Sequence, residues 1–256
     1  MTGSGSGGTI GHTIHRLGAV LSTQVEAAAL AAAGVADGTV VTATHQSAGR
    51  GRRGRQWLDA PGESLLLSLV LRPPILSGRA PQLSLVAAVA VVDALGAAGV
   101  HAAIRWPNDV MVGERKICGI LPEAVTTPEG ALEHVILGIG LNVNQRDFPA
   151  PIGHVATSVR IETGRAHALE ELLAALLGAL GGWYRRFLEG GLAGIRLAWL
   201  ERAQSIGRRA RAADGGEGIA VDLDADGALL LRTDGGALIR VVAGEVMMEA
   251  IHAARH

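Results

Sequence analysis

Residues 49–55 read GRGRRGR, four arginines interleaved with three glycines. Four cations in seven positions repel one another, and glycine lets the backbone approach a ligand closely. Guanidinium forks suit the paired oxygens of phosphate, so this is the chemistry of an anion-binding loop ordered by its ligand. The glycines spell G-x-G-x-x-G, yet no amphipathic helix follows, and the Gly-Lys-Ser/Thr ending of a Walker A loop is missing. On its own the segment also fits a solvated basic loop or an RNA contact. A second segment, residues 104–121 (IRWPNDVMVGERKICGIL), sets a Trp-Pro-Asn-Asp turn seven residues before Lys116. Across a hairpin, Asp109 and Lys116 can face one cavity.

Lys116 is the only lysine among 23 basic residues. A chain that takes arginine wherever a solvated cation will do has kept one compact ammonium, either by chance on a turn or because reach and geometry matter there. Asparagine is as scarce, at Asn108, Asn142 and Asn144 only. All four rare residues fall in one central region.

The elements that must carry these residues can be read from pattern. Ser22 or Thr23 caps an alanine-rich helix over residues 24–33, ended by Gly34. Residues 39–45 form a β-branched strand, 46–61 a polar loop, and 64–71 (SLLLSLVL) a buried strand. Pro81 opens a helix reaching residue 98. Short strands over 102–106, 110–112 and 116–123 make a hairpin, and 132–144 (LEHVILGIGLNVN) is a core strand whose glycines allow close approach. Residues 167–188 and 192–203 have helical periodicity, with Trp183 and Trp199 assigned to the core. Beyond residue 205, short strands alternate with Gly/Asp turns, as in a small β-barrel that leans on the larger domain. The expected fold is α+β with a mixed or antiparallel sheet. The expected domains are a Gly/Ser tail over 1–11, a catalytic domain over 12–205 and a C-terminal domain over 206–256.

Composition narrows the function classes. With 256 residues, 48% hydrophobic and a net charge of -1, the chain is globular and not a uniformly basic nucleic-acid binder. One cysteine, Cys118, rules out a disulfide framework or a cysteine-built zinc site, and the nine histidines lack metal-ligand spacing. No metal-binding residues are therefore assigned. The opening residues lack a signal-like apolar run, so a cytoplasmic protein without a membrane span is expected.

Taken together, the GRGRRGR loop, the WPND turn and the following lysine resemble biotin protein ligase, over nearly all of residues 12–249. The resemblance implies a class II synthetase-like catalytic domain with a C-terminal SH3-like barrel. It implies activation of biotin with ATP and Mg2+ to biotinyl-5'-AMP, then transfer to a lysine of a biotin carboxyl carrier domain of acetyl-CoA carboxylase or a related carboxylase. By the same resemblance, Ser22 and Thr23 match a Ser-Thr pair near the biotin ring, and Gln24 stands where the family usually has Asn. Gln46, Gly49, Arg50, Gly51, Arg52 and Arg55 match the biotin and adenylate contacts, and Trp57 the aromatic that packs on the ordered loop. Lys116 matches the lysine at the carboxylate and adenylate linkage, Gly119 lies beside the ligand, and Asn142 matches an ATP-side residue. The segments at Gly227 and Gly244 resemble the barrel's signature. Lys116, Arg52 and Asp109 are the expected catalytic groups, Asp109 acting on metal or on the acceptor amine. A monomer or ligand-promoted homodimer is expected, with no DNA binding and no N-terminal DNA-binding domain. The rival readings are a lipoate-type ligase and, from another class, a nucleic-acid-binding module.

Overall fold

The computed structural model describes residues 10–213, 215–242 and 246–248. Most of the Gly/Ser tail, Gly244 and the segment after residue 248 lie outside the described residues. A strand with no counterpart in the sequence reading, β1 (Ile14–Val20), comes first. Helix α1 (Thr23–Ala32) follows, its first turn capped where Ser22 Oγ accepts the Gln24 N–H. Gly34, at φ 82°, turns the chain out of it. Strands β2 (Thr39–Gln46) and β3 (Ser64–Leu71) flank the arginine loop. Helix α2 (Gln82–Ala97) leads to β4 (Ala103–Arg105), β5 (Asp109–Val112), β6 (Arg115–Thr126) and β7 (Leu132–Asn142). A short helix α3 (Val159–Thr163), also unforeseen, precedes α4 (Leu169–Gly190) and α5 (Ala193–Arg202).

The seven strands order as β1-β2-β3-β7-β6-β5-β4. Only β1 and β2 run parallel, joined over α1, and every other pair is antiparallel. This is the expected mixed sheet. Every residue of β3 is buried, because a central strand is covered on both faces. One face carries the large core with α2, α4 and α5, where Trp199 is fully enclosed. Helix α2 is apolar enough by composition to cross a membrane, but here most of it is buried in that core. The other face carries α1, whose Ala27 and Ala31 pack over Val41, Val70 and Ile136. Since alternate residues share a face, Gly138 and Gly140 continue the row begun by Ile136 and leave the sheet hollow beyond the end of α1.

Trp183 packs against the edge of the core instead of inside it. It is half-buried, donates its indole N–H to Asp93 at 2.7 Å, and lies under the guanidinium groups of Arg186 and Arg202 at 4.7 and 5.8 Å. Asp93 and the two arginines make this a polar edge of the helical layer.

The C-terminal strands β8 (Arg209–Ala212), β9 (Glu217–Leu223), β10 (Leu229–Arg232), β11 (Leu238–Val241) and β12 (Val246–Met248) form an antiparallel sheet in the order β11-β10-β9-β8-β12. Its inner residues Ala210, Ala220, Leu229 and Leu231 join the main core. Trp106 binds the two parts together: its indole donates to the Gly227 carbonyl at 3.1 Å, and its backbone N–H to Ser205 Oγ at 3.0 Å. Trp106→Phe keeps most of the apolar volume and strands that carbonyl, a loss of about 1 kcal/mol. We expect faster amide exchange in β8–β11 with β3 and β7 unchanged; uniform acceleration across both sheets would contradict a local tie.

Candidate functional site

The hollow face of the sheet is the floor of a pocket. Its rim comes from the first turn of α1 (Ser22, Thr23, Gln24), the end of β2 (Gln46) and the arginine loop (Arg50, Gly51, Arg52, Trp57). The floor comes from Gly119 on β6 and from Gly138 and Gly140 on β7. Together they bound a small cavity of about 40 Å³, partly open to solvent.

The loop's glycines have a use the sequence did not suggest. The loop folds back on itself, with Gly51 N–H donating to the Arg55 carbonyl at 2.7 Å and Trp57 N–H to the Gly49 carbonyl at 3.0 Å. A Cβ on Gly49 would stand 2.6 Å from the Trp57 carbonyl, so the hairpin requires glycine there, and Gly49 itself does not line the pocket. Arg53 sits at the tip at φ 55°, a left-handed conformation uncommon outside glycine. The base is pinned by Asp59, whose carboxylate accepts from His45 Nδ1 at 2.8 Å and from the Gln46 N–H at 3.3 Å.

Trp57 seats the loop on the sheet. Its ring lies where side chains at Gly140 and Gly119 would be: a Cβ on Gly140 would come within 2.6 Å of Cε2, and one on Gly119 within 3.0 Å of Cζ3. Its indole N–H is buried without a partner.

Polar groups around the pocket are held by one another. Gln46 Oε1 accepts from the Thr23 N–H at 2.7 Å and from Thr23 Oγ1 at 3.0 Å, and Thr23 Oγ1 meets Ser68 Oγ at 2.8 Å. With its oxygen so occupied, Gln46 keeps Nε2 as a donor for the pocket. Gln24 Nε2 donates to Glu123 at 2.6 Å.

At the other end stand the charges. Arg52 donates to Asn108 Oδ1 at 2.9 Å, and Asn108 donates in turn to the Ile120 carbonyl at 2.7 Å. Burial pulls the Arg52 guanidinium below its ordinary pKa; Asp109 opposes this, while Arg53 and Arg55 add to it. Lys116 Nζ is 2.6 Å from Asp109 Oδ1 and 5.7 Å from the centre of the Trp57 ring. A register shift between β5 and β6 pairs Asp109 with Gly119 but Met111 with Lys116, and the ammonium bends over Gly119. Arg52 and Asn108 line the pocket and also a second, larger cavity walled by Arg53, Arg55, Arg105, Trp106, Asp109 and β12 residues Val246 and Met247.

The structure thus brings together Ser22, Thr23, Gln24, Gln46, Arg50, Gly51, Arg52, Trp57 and Gly119 around one pocket and Arg55 and Asp109 around its neighbour. Lys116 meets Asp109 at their junction without lining either wall. Asn142 does not reach them: it is buried, donating to the Thr157 carbonyl at 3.0 Å and pairing with Ser64 across β3. Cys118 is buried in the core, and burial drives its thiol pKa well up. Asn108 and Glu123, which the sequence left as turn and strand residues, complete the site. Among the described residues no cluster of three or more His, Cys, Asp or Glu could hold a metal.

Residues 17–142 match the Biotin/lipoate A/B protein ligase family, and residues 206–248 the Biotin protein ligase C terminal domain. The biotin--[acetyl-CoA-carboxylase] ligase of Paracoccus denitrificans is 41% identical over 84% of this chain and 92% of its own length. The chain belongs to the biotin protein ligase family. The bifunctional ligase/repressor BirA of Bacillus spizizenii is 40% identical over 85% of this chain and 68% of its own. Among solved structures, the Aquifex aeolicus biotin protein ligase in complex with biotin and ATP superposes with a TM-score of 0.80 at 29% identity, covering 93% of this chain and 99% of that one.

The seat of Trp57 is open to a direct test. Gly140→Ala puts a methyl into the indole, an overpacking of about 1–3 kcal/mol. The ring should leave the sheet, exposing Trp57 to an aqueous quencher while the circular dichroism of the fold is kept. A Gly140→Ala protein whose quenching equals wild type's, with Trp57→Phe as the control, would refute this contact.

Proposed function

We propose that this chain activates biotin with ATP to biotinyl-5'-AMP and transfers the biotinyl group to a lysine of a carboxyl carrier domain, acting in the cytoplasm. The observation that carries the reading is the meeting of two cavities at Arg52 and Asn108, with the Lys116–Asp109 pair beside them. One cavity is small and polar-rimmed, with an amide donor and an amide on α1, suited to a cyclic urea. The other is walled by arginines, suited to a triphosphate. The match of residues 206–248 to the Biotin protein ligase C terminal domain favours biotin over a lipoate-type substrate.

In the first step a biotin carboxylate oxygen bonds to the α-phosphorus, the bond to the β-phosphate bridging oxygen breaks, and pyrophosphate leaves. Two anions must meet, so positive charge has to stand in place beforehand. Arg52 and Lys116 supply it. Asp109 holds the ammonium at the junction, and Asn108 holds the guanidinium. Magnesium carried on the triphosphate would neutralise the leaving pyrophosphate, and Asp109 is the residue that would help hold it. In the second step the acceptor amine attacks the acyl carbon and AMP departs; Asp109 is our candidate to orient that amine or take its proton. Trp57 and the folded loop exclude water from the mixed anhydride.

Lys116→Arg preserves charge but places a planar fork where one ammonium fits. Biotin-dependent pyrophosphate release should fall about a hundredfold while the thermal midpoint is kept. A wild-type rate would make the lone lysine an accident of composition.

Arg52→Ala should speed dissociation of the adenylate, because the loop is partly exposed and its guanidinium spans both cavities. Stopped-flow release compared with the thermal midpoint reads this; lost stability without faster release would give Arg52 a structural role instead.

A further inference from the structure

Glu123 lies on β6 outside the pocket wall, yet it holds the side chain of a buried rim residue, Gln24. Gln24 is 4% exposed and lines the pocket, and its Nε2 donates to Glu123 Oε2 at 2.6 Å. We propose that Glu123 is a positioning residue that sets ligand specificity, by fixing the Gln24 amide with its oxygen committed to the pocket as an acceptor for a ligand N–H.

A free carboxamide can turn end for end, offering either a donor or an acceptor at nearly the same position. A carboxylate only accepts, so it binds the NH2 end of Gln24 and leaves the oxygen facing the other way. That oxygen lies over Gly138, where a Cβ would stand 2.7 Å from Oε1 and 2.9 Å from Cδ. The Gln24 side chain therefore uses the space that glycine leaves on β7, and both residues line the same pocket. Across the rim Gln46 is fixed in the opposite sense, its oxygen spent on Thr23 and its NH2 left for the ligand. The two amides present one donor and one acceptor. A cyclic urea, with one carbonyl and two N–H groups, complements that pair. Glu123 also meets Arg50 Nη1 at 3.4 Å, but both side chains are about half exposed, so that contact is the weaker of the two.

The inference rests on the reading of the pocket as a biotin site and adds which residue enforces the polarity of recognition. The probes are biotin and the two cyclic carbamates in which one or the other ureido N–H is replaced by oxygen. Their Kd values are measured by calorimetry on wild type, Glu123→Ala and Glu123→Gln, each with its thermal midpoint. Wild type should prefer biotin over at least one carbamate by about tenfold or more, the scale expected when a polar site loses its partner. In Glu123→Ala the freed amide can donate to the carbamate oxygen, so that preference should collapse, with Glu123→Gln between. An unchanged preference, or equal weakening of all three ligands, overturns the proposal while leaving a biotin site intact. Absence of biotin binding by folded wild type overturns the underlying reading as well. If Glu123→Ala fails to fold, Glu123→Gln carries the same comparison.

Discussion

Four guanidinium groups crowded into seven residues push one another apart, and the site exists only because something holds them. What holds them is apolar: one indole packed against two glycines of neighbouring strands. A Cβ at Gly140 would clash with Trp57, and one at Gly119 would crowd it. The arginines are thereby presented from a folded hairpin, with Asp59 closing its base and Asn108 catching Arg52 from across the cavity. Cationic chemistry on one side of the loop thus depends on the emptiness of the sheet on the other.

The same emptiness explains the unequal layers. Alanine-rich α1 covers only the near part of its face, and the row Ile136, Gly138, Gly140 changes from filled to hollow where the helix begins. The N-terminus of α1, with Ser22, Thr23 and Gln24, looks into the hollow and supplies its polar rim. Folding and recognition use the same residues here: Ser22 caps the helix and stands in the pocket, and Thr23 holds Gln46 while opening the first turn.

Much of this was legible in the sequence because it is local. The buried strand over residues 64–71 was marked by its apolar run, and Gly34 marked the end of α1. The glycines of residues 138 and 140 signalled close approach, although not that an indole would be what approached. The misses are long-range or weakly patterned. Strand β1, with its alternation broken by Gly18 and Ala19, gave no β-branched run. Glu123 and Gln24 are 99 residues apart, and no spacing rule announces such a pair. Asn142, assigned to the ATP side by the resemblance, is buried and donates its amide to the Thr157 carbonyl, away from both cavity walls.

The scarcity of lysine has a chemical consequence for a molecule that makes an acyl-adenylate. A mixed anhydride that escapes its pocket acylates whatever neutral amine it meets first. A guanidinium is not such a nucleophile, since it stays protonated in proteins. A surface cationised by arginine is therefore inert to the enzyme's own reactive product. The single side-chain amine is tied 2.6 Å from the Asp109 carboxylate, so an acyl-adenylate that drifts away finds almost no amine side chain on its maker to modify.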